Sequence, residues 1–588
     1  MKLAALLLAL LAQPAPIEAP LPPTPEWHGA SERLVARPND RWITPAEASN
    51  FETTPSYAAT RAYLDRLVAA APRLLRIERF GRSSEGRELY AVIASRGGSR
   101  RPRVLVQAGI HAGEIDGKDA GLMLLRDIAL RGRADLLDNA DLVFVPIFNP
   151  DGHERSSRFS RPNQRGPREQ GWRTTARNLN LNRDYLKADT PEMQAMLAFL
   201  RRIDPALYID VHVTDGVDYQ YDITYGFLGW NGRYAQSPAI GRWLDTRLRP
   251  AFDQALTRAG HIPGGLVFAV DDSNPRAGIA EFPFGGRFSQ GYGDLARIPS
   301  VLVENHSLKP YRQRVLGTYV LMEEALRLVG REREAVRAAI SADRTVSPRS
   351  TILSWRPVAE PTGTIPWRGI AHDIVPSPIT ERGVVKWLGT PVSFDMPVFV
   401  QEPAATAALP RAWWVPASRP EIIERLRLHG IAFETLAAPR TVDLEMVRLR
   451  EPALQGASEG RVPLRIGGIT RLTRRETFPA GSIRVPADQP RALVAAALLE
   501  PESPESLLAW GFFPEILQRT EYIEPYAIEP LARRMMAADP TLARAFEEAL
   551  KDPAFAASSE RRLAWFYERS AYYDDRYLLY PVGREPAP

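Results

Sequence analysis

Two short strings about a hundred residues apart carry side chains that could hold a metal ion. His111-Ala-Gly-Glu114 follows an apolar run at residues 103–110, and His212 lies inside a second apolar run at residues 207–213. Two imidazoles and one carboxylate form a zinc ligand set that leaves a fourth position open for water, as catalytic zinc sites require. Because a chain of this composition shows one such HxxE string by chance about half the time, the string needs support from its surroundings.

Other polar strings lie in the same half of the chain. Asn149-Pro-Asp-Gly152 follows an apolar run and, taken alone, is ordinary turn chemistry. An Arg-rich loop at residues 156–177 leads to Asn182-Arg183. Glu304 lies near the end of the apolar run at residues 300–306, where a buried carboxylate is costly unless it has a partner or a task.

The composition limits the class of protein. The chain has 588 residues, of which 45% are hydrophobic and 25% charged, so two or three globular domains are expected. The net charge is only +5 and no basic block is present, so nucleic acid is not an expected partner. Since the chain contains no Cys, no disulfide stabilises it, and a metal site must use His and carboxylate ligands.

The first residues predict export. Met1-Lys2 is followed by an apolar run and by small residues at Ala12 and Ala15, which is typical of a signal peptide over residues 1–15 and too short for a stable membrane anchor. A Pro-rich segment follows at residues 16–50. We therefore expect a secreted or periplasmic protein with no lipid-attachment Cys and no membrane span.

Strand and helix patterns alternate across residues 51–335, which we interpret as one catalytic domain. The patterns predict strands at 88–95, 104–110, 141–148, 207–213 and 300–306, and helices at 57–71, 116–131, 190–202, 235–259 and 311–331. Apolar strands between helices indicate an α/β sheet covered on both faces. Ligands of such sheets bind beyond the carboxyl ends of the strands, where His111 and Glu114 would lie.

The rest of the chain has a different residue pattern. Residues 345–500 have a mixed, β-rich pattern and residues 501–588 a helical one, so a separate α+β C-terminal region is expected. His429 lies at the end of a predicted helix, where the helix dipole favours a cation, and we interpret it as structural. This region could cap the cleft or dock a partner.

The strings, in this order, resemble the zinc carboxypeptidases, the carboxypeptidase A-like metallopeptidases, over roughly residues 55–330. The resemblance implies a mixed central sheet and one zinc ion. It implies that His111, Glu114 and His212 are the metal ligands and that Glu304 is the general base. It implies that Asn182 and Arg183 bind the terminal carboxylate of the substrate. It also implies an Arg that stabilises the oxyanion, for which we choose Arg173 over Arg177, and a Tyr that closes over the substrate, for which Tyr292 on a glycine-flanked loop is the candidate.

The same resemblance implies the activity. A zinc metallocarboxypeptidase would hydrolyse the C-terminal residues of peptides by zinc-activated water, with a Glu as general base. Its partner would be a peptide with a free C-terminal carboxylate, cell-wall peptides being one candidate class. Two alternatives stay open: a zinc-dependent deacylase or amidase of related fold, and a catalytically inactive peptide-binding module.

Two further residues have more than one interpretation. Asp210 and His306 share strand faces with His212 and Glu304 through two-residue alternation. Asp210 could orient His212 from behind or contact solvent. His306 could tune the base or be an ordinary polar residue at a strand end.

Overall fold

The computed structural model describes residues 17–98, 101–519 and 521–586. The predicted signal peptide, residues 1–15, lies outside the described residues. The chain divides into two units: the first comprises the residues up to 408 together with 424–432 and 488–497, and the second comprises 409–423, 433–487 and the residues from 498 onward. The domain boundaries given by the sequence stay predictions.

The strands of the first unit are distributed between residues 75 and 408. They are β1 (Leu75–Arg82), β2 (Glu88–Ala94), β3 (Arg103–Ala108), β4 (Asp141–Val145), β5 (Leu207–Thr214), β6 (Ile223–Gly226), β7 (Pro263–Gly265), β8 (Ile279–Ala280), β9 (Ser300–His306), β10 (Ser350–Pro357), β11 (Gly363–Pro376), β12 (Gly383–Phe399) and β13 (Gln401–Ala408). Its helices are α1 (Pro45–Ala48), α2 (Tyr57–Ala70), α3 (Asp116–Leu130), α4 (Pro150–Glu154), α5 (Pro191–Ile203), α6 (Pro238–Trp243), α7 (Arg249–Arg258), α8 (Ser289–Leu295), α9 (Tyr311–Arg331) and α10 (Arg333–Thr345).

Eight strands form the central sheet in the order β1-β2-β4-β3-β5-β9-β6-β7. The pairs β4/β3, β3/β5, β5/β9 and β6/β7 are parallel, whereas β1/β2, β2/β4 and β9/β6 are antiparallel. This confirms the expected mixed α/β sheet. Since β3, β5 and β9 run parallel side by side, their carboxyl ends meet at one edge, which is where the predicted chemistry lies.

Helices cover both faces of this sheet. Val104 and Val106 of β3 belong to the main hydrophobic core, to which α3 and α9 contribute long buried faces. On the opposite face Gln107 contacts Tyr185, whose ring lies 5.7 Å from that of Tyr292 in α8. Alternation of side chains along a strand explains why β3 can be buried on both sides at once.

The predicted helix at 235–259 is the main local difference. The structure has α6 and α7 there, joined by a π-helical turn at Leu244–Leu248. Pro250 explains the break, because proline lacks the N–H that a continuous α-helix would use at that position. The other predicted elements are present, with ends that agree to within three residues.

Two smaller β assemblies complete the first unit. Strands β11 and β12 form a long antiparallel hairpin, and β8 pairs with β12 to give a three-stranded sheet. Strands β10 and β13 pair separately. The hairpin therefore belongs to the first unit although it follows the alternating strand and helix pattern in the sequence.

The remaining elements lie in the second unit or at its junctions with the first. They are β14 (Ala412–Val415), β15 (Glu434–Thr435), β16 (Arg440–Arg450), β17 (Ala453–Leu454), β18 (Leu464–Arg465), β19 (Gly468–Phe478), β20 (Ile483–Pro486), β21 (Leu579–Glu585), α11 (Pro420–Leu428), α12 (Ala492–Leu499), α13 (Pro525–Ala538), α14 (Pro540–Ala549), α15 (Pro553–Ala556) and α16 (Ser559–Tyr567).

The second unit is built around a six-stranded sheet in the order β15-β20-β14-β21-β16-β19. Strand β21 corrects the helical interpretation of the C-terminal region, because its short apolar run pairs with β14 and β16 instead of continuing the helices. Among the residues that the structure describes, no helix is both long and apolar enough to cross a bilayer.

Candidate metal centre

The turn that follows β3 places the side chains of His111 and Glu114 next to each other. Gly109 begins the turn at a positive φ of 68°, which glycine adopts without strain, and the Glu114 N–H donates to the His111 carbonyl at 2.9 Å. A side chain at Gly113 would come within 2.6 Å of the Gly171 carbonyl, so only glycine permits this close approach.

The three predicted ligand residues converge. The Glu114 carboxylate lies 3.0 Å from His111 Nδ1 and 3.0 Å from His212 Nδ1, and the two imidazole nitrogens lie 3.2 Å apart. One ligand atom from each residue falls within 4.8 Å of the other two, and all three side chains are buried. Two nitrogens and a carboxylate oxygen facing one point fit the ligand preference of zinc.

Hydrogen bonds behind the imidazoles fix their orientation. His111 Nε2 donates to Asn180 Oδ1 at 3.0 Å, and His212 Nε2 donates to Asp210 Oδ2 at 2.9 Å. Asp210 also accepts from Gln107 Nε2 at 2.8 Å. Because each Nε2 carries the proton, each Nδ1 lone pair points at the common centre, as metal-binding histidines require.

Asp210 therefore lies behind His212 and is buried, which favours the orienting role over contact with solvent. Asn180 is the contact that sequence reasoning missed. Its signal is weak, since it is one of three alternating Asn in Asn178-Leu-Asn-Leu-Asn182.

Cations keep the Glu114 carboxylate ionised. Burial alone would raise its pKa, but His111, Arg161 and the imidazole contacts lower that pKa well below its usual value. Arg161 Nη2 and Arg173 Nη1 lie 2.9 Å and 3.3 Å from the carboxylate, and the Val213 N–H donates to it at 3.1 Å. A charged carboxylate in a buried site is the state needed to bind a cation.

Glu304 stands opposite His212 where β5 and β9 pair in register. Its Oε2 is buried and has no hydrogen-bond partner among the described residues. Burial, reinforced by the nearby Glu114 charge, raises the pKa of Glu304 to about 8, although His212 and Arg173 oppose the shift. A half-buried carboxylate with one unpartnered oxygen, beside the three converging side chains, is placed to exchange protons.

The two candidate oxyanion arginines have different positions. Arg173 reaches Glu114, with its side chain 40% exposed, whereas Arg177 is exposed on the same loop. Arg161 was not selected from the sequence, because nothing local distinguishes it from the other Arg residues of the loop. The structure places both Arg161 and Arg173 against the Glu114 carboxylate.

Asn182 and Arg183 are linked to the three converging side chains through Asn180. The Asn180 side-chain oxygen that contacts His111 also accepts the Asn182 N–H at 2.9 Å. Arg183 is partly exposed, with its guanidinium carbon 4.4 Å above the centre of the Phe288 ring. Stacking on an aromatic face orients the planar guanidinium, and Arg183 Nη1 donates to the Asn182 carbonyl at 2.8 Å.

The position predicted for Tyr292 is wrong. Tyr292 lies in helix α8 rather than on a mobile loop, its side chain is buried, and its hydroxyl is 3.2 Å from His429 Nδ1. Both flanking glycines are inside the helix, where a side chain at Gly291 would meet the Gly285 carbonyl and one at Gly293 would meet the Ser300 side chain. A buried, hydrogen-bonded tyrosine is not free to close over a ligand.

His429 itself is buried, and burial lowers its pKa to about 4. It is therefore neutral at neutral pH and donates from Nε2 to the Leu186 carbonyl at 2.8 Å. These contacts fit the structural role predicted for His429. The imidazole is neutral, however, whereas the sequence suggested a cation at a helix end.

The structure thus places a buried His–Glu–His group beside Glu304 at one edge of a mixed sheet. Comparison with known proteins identifies the class of protein. Residues 60–237 match the family model described as "Zinc carboxypeptidase". The match confirms the resemblance predicted from the sequence and the enzyme class that it implied, a zinc-dependent metallocarboxypeptidase.

Individual relatives carry the same name. "Carboxypeptidase 2" of Trichophyton rubrum is 24% identical over 444 residues, which cover 71% of this chain and 75% of the relative. "Carboxypeptidase A1" of Homo sapiens is 32% identical over 108 residues, covering 18% and 26%. The crystal structure of the carboxypeptidase A from Helicoverpa armigera aligns with a TM-score of 0.36 at 20% identity, over 50% of this chain and 75% of that one.

Proposed function

We propose that the protein is a secreted or periplasmic enzyme that removes C-terminal residues from peptides. The observation that carries the proposal is the convergence of His111, Glu114 and His212 beside the unpartnered carboxylate oxygen of Glu304. A buried site with cation ligands and an adjacent base is what hydrolysis of an amide needs. Export rests on the pattern of residues 1–15.

The three converging side chains would hold one zinc ion, which supplies Lewis acidity and makes water acidic enough to react near neutral pH. The hydrogen bonds from Nε2 of each imidazole keep the ligand lone pairs pointed inward before the ion arrives. The three ligand side chains are therefore oriented before a metal ion binds.

Glu304 is the proposed general base. A cation bound by the three ligands would favour the ionised form of Glu304, whose Oε2 would then take a proton from the attacking water and later deliver it to the leaving amine. Because no described residue holds this oxygen in a hydrogen bond, the carboxylate can turn between the two tasks.

The arginines of the site are proposed to contact different groups of the substrate. Arg183, together with Asn182, binds the terminal carboxylate of the peptide through its planar donor fork. Arg173 is the proposed donor to the developing oxyanion, with Arg161 beside it on the same carboxylate. Binding of a free terminus by Arg183 would direct cleavage to the chain end.

Metal analysis combined with a peptide assay tests this function. The purified protein should contain about one zinc per chain and should release single residues from the C-terminus of a peptide, but not from the same peptide with a C-terminal amide. Equal cleavage of both forms would favour a deacylase or amidase. A metal-loaded protein that hydrolyses no member of a peptide library would instead be a binding module.

A further inference from the structure

A cavity of about 180 Å³ lies against β6 and β7, at one edge of the central sheet. Eight of the residues that line it are aromatic, and two of its lining side chains, Phe282 and Ile365, are 43% and 39% exposed. An apolar cavity of about 150 Å³ is large enough to hold a benzene ring. The cavity is therefore reachable from solvent and has the size and the lining that an aromatic side chain needs.

The charges around the cavity favour an apolar ligand. Among the described residues that line it, Glu281 alone is charged. Its Oε2 accepts from Arg233 Nη1 at 2.8 Å and its Oε1 accepts from Asn231 Nδ2 at 3.3 Å. Because the Glu281 charge is already compensated, a basic or acidic side chain that entered the cavity would lose its hydration without gaining an opposite charge.

Strand pairing places the cavity beside Glu304. Gly264 of β7 lines the cavity and pairs with Thr224 of β6, which pairs in turn with Glu304 of β9. A side chain at Gly264 would meet the ring of Tyr221, which also lines the cavity, so the cavity lies on the sheet face to which Glu304 belongs. Since neighbouring strands are about 4.8 Å apart, two strand steps separate Gly264 from Glu304 by about 10 Å.

Two phenylalanine rings link the cavity to Arg183. Phe284 lines the cavity, and its ring centre lies 5.3 Å from that of Phe288. The guanidinium carbon of Arg183 lies 4.4 Å from the centre of the Phe288 ring. A peptide whose terminal carboxylate is bound by Arg183 and whose scissile bond lies at Glu304 would therefore have its last residue next to the cavity.

The hairpin of β11 and β12 supplies one wall of the cavity. Ile365 and Trp367 of β11 and Val398 of β12 are among the lining residues, and Trp367 packs edge-on against Tyr221 with ring centres 5.2 Å apart. The hairpin lies outside residues 60–237, which match the family model. The size of the cavity is therefore set in part by an element of this chain that the family model does not include.

We propose that this cavity receives the side chain of the substrate's last residue, that this side chain is aromatic, and that Ile365, Trp367 and Val398 of the hairpin are specificity-determining residues. The inference rests on the proposed function and narrows its substrates to peptides that end in Phe, Tyr or Trp. Aromatic side chains gain most from such a cavity, because they bury a large apolar area and pack favourably against other rings.

The first test compares peptides that differ only in the last residue. For the wild type, kcat/KM should be at least about tenfold higher for a peptide that ends in Phe than for the same peptide ending in Ala, because even one missing methylene in an apolar pocket costs about tenfold. Peptides that end in Lys or Glu should be cleaved no faster than the peptide ending in Ala.

The second test changes the wall of the cavity. Ile365→Lys introduces a charge there and should lower kcat/KM for the peptide ending in Phe about tenfold, with no change for the peptide ending in Ala and none in zinc content. Ile374→Lys is the matched control, since Ile374 lies on the same strand, is 53% exposed and does not line the cavity. It should discriminate between the two peptides as the wild type does.

A variant without a new charge completes the test. Ala280 lines the cavity, and Ala280→Leu narrows it with apolar atoms alone. The ratio of kcat/KM for the peptide ending in Phe to that for the peptide ending in Ala should fall in this variant, whereas general damage to the enzyme would lower both values together.

Three results would overturn the inference and leave the proposed function intact. The first is equal cleavage of the Phe and Ala peptides by the wild type, or a preference for Lys or Glu. The second is unchanged discrimination in both Ile365→Lys and Ala280→Leu, and the third is an equal loss on both peptides in both variants. A wild type that hydrolyses no peptide would instead end the proposed function, and this inference with it.

Discussion

The Glu304 carboxylate is the residue on which the proposed chemistry depends most directly. Substitution Glu304→Gln preserves the size and polarity of the side chain but removes its ability to take a proton. We expect turnover to fall by about 10²–10⁴-fold, with zinc content unchanged because the ligands are His111, Glu114 and His212. Steady-state kinetics and metal analysis on the same preparation make the comparison; wild-type turnover in the variant would remove Glu304 from the mechanism.

The role of Arg183 can be tested with a substitution that keeps its charge. Arg183→Lys retains a cation but loses the planar fork that matches a carboxylate. KM for a peptide with a free C-terminus should rise about tenfold or more, whereas the amidated peptide should stay uncleaved. Arg344→Lys, at an ion pair with the exposed Asp204, is the control with wild-type kinetics. An unchanged KM in Arg183→Lys would contradict a role in carboxylate binding.

At the scale of single residues, the sequence predicts best those side chains that follow apolar runs. His111, Glu114 and His212 could be selected because their strands are recognisable, and parallel neighbours bring strand ends together. Asn180 and Arg161 could not be, since they lie in irregular loops where only the tertiary fold decides which of several Asn or Arg residues contacts the site. Tyr292 was misplaced because glycines near a tyrosine suggest a loop, whereas here they permit tight helix packing.

At the scale of elements, buried and long strands and helices are predicted from the sequence more closely than short ones. The strands β3, β5 and β9 and the helices α3 and α9 have strong apolar patterns, and their positions were predicted closely. Strands β7 and β8 were not predicted, because two or three residues carry no periodic signal and pairing alone defines them. The hairpin of β11 and β12 is long, yet its place in the first unit depends on contacts that no local pattern contains.

One buried ion pair joins the elements around the site. Arg314 of α9 donates to both carboxylate oxygens of Asp116 in α3, at 2.9 Å and 3.2 Å, and neither side chain is exposed. Its remaining N–H groups donate to loop carbonyls, among them those of Arg165 and Ser307. The guanidinium therefore ties two helices to the loop that carries the oxyanion candidates.

Removing this guanidinium should destabilise the first unit. Arg314→Met leaves the Asp116 carboxyl buried without its cation, and loss of one partner of a buried pair costs about 3–5 kcal/mol. Urea denaturation followed by tryptophan fluorescence measures the change. Arg327→Met in the same helix removes partly exposed pairs with Asp135 and Glu323 and should cost less than about 1 kcal/mol. Equal effects of the two substitutions would contradict the special role of the buried pair.

At the scale of the whole molecule, the two units should respond differently to metal. All three proposed ligands lie in the first unit, and a ligand that binds only the folded state stabilises it by about 2.7 kcal/mol at a free concentration of 100 Kd. A strong chelator should therefore lower the unfolding temperature of the first unit, while the transition of the second unit stays where it is.

Scanning calorimetry with and without chelator checks this, because units that unfold at different temperatures give separate transitions. Adding zinc back should restore the first transition, and Glu304→Gln should behave as the wild type because it keeps the ligands. Substitution of His212 by Ala should abolish the response to zinc. If chelation shifted both transitions equally, or neither, then the metal would not be bound by the first unit alone, and the assignment of His111, Glu114 and His212 as its ligands would have to be abandoned.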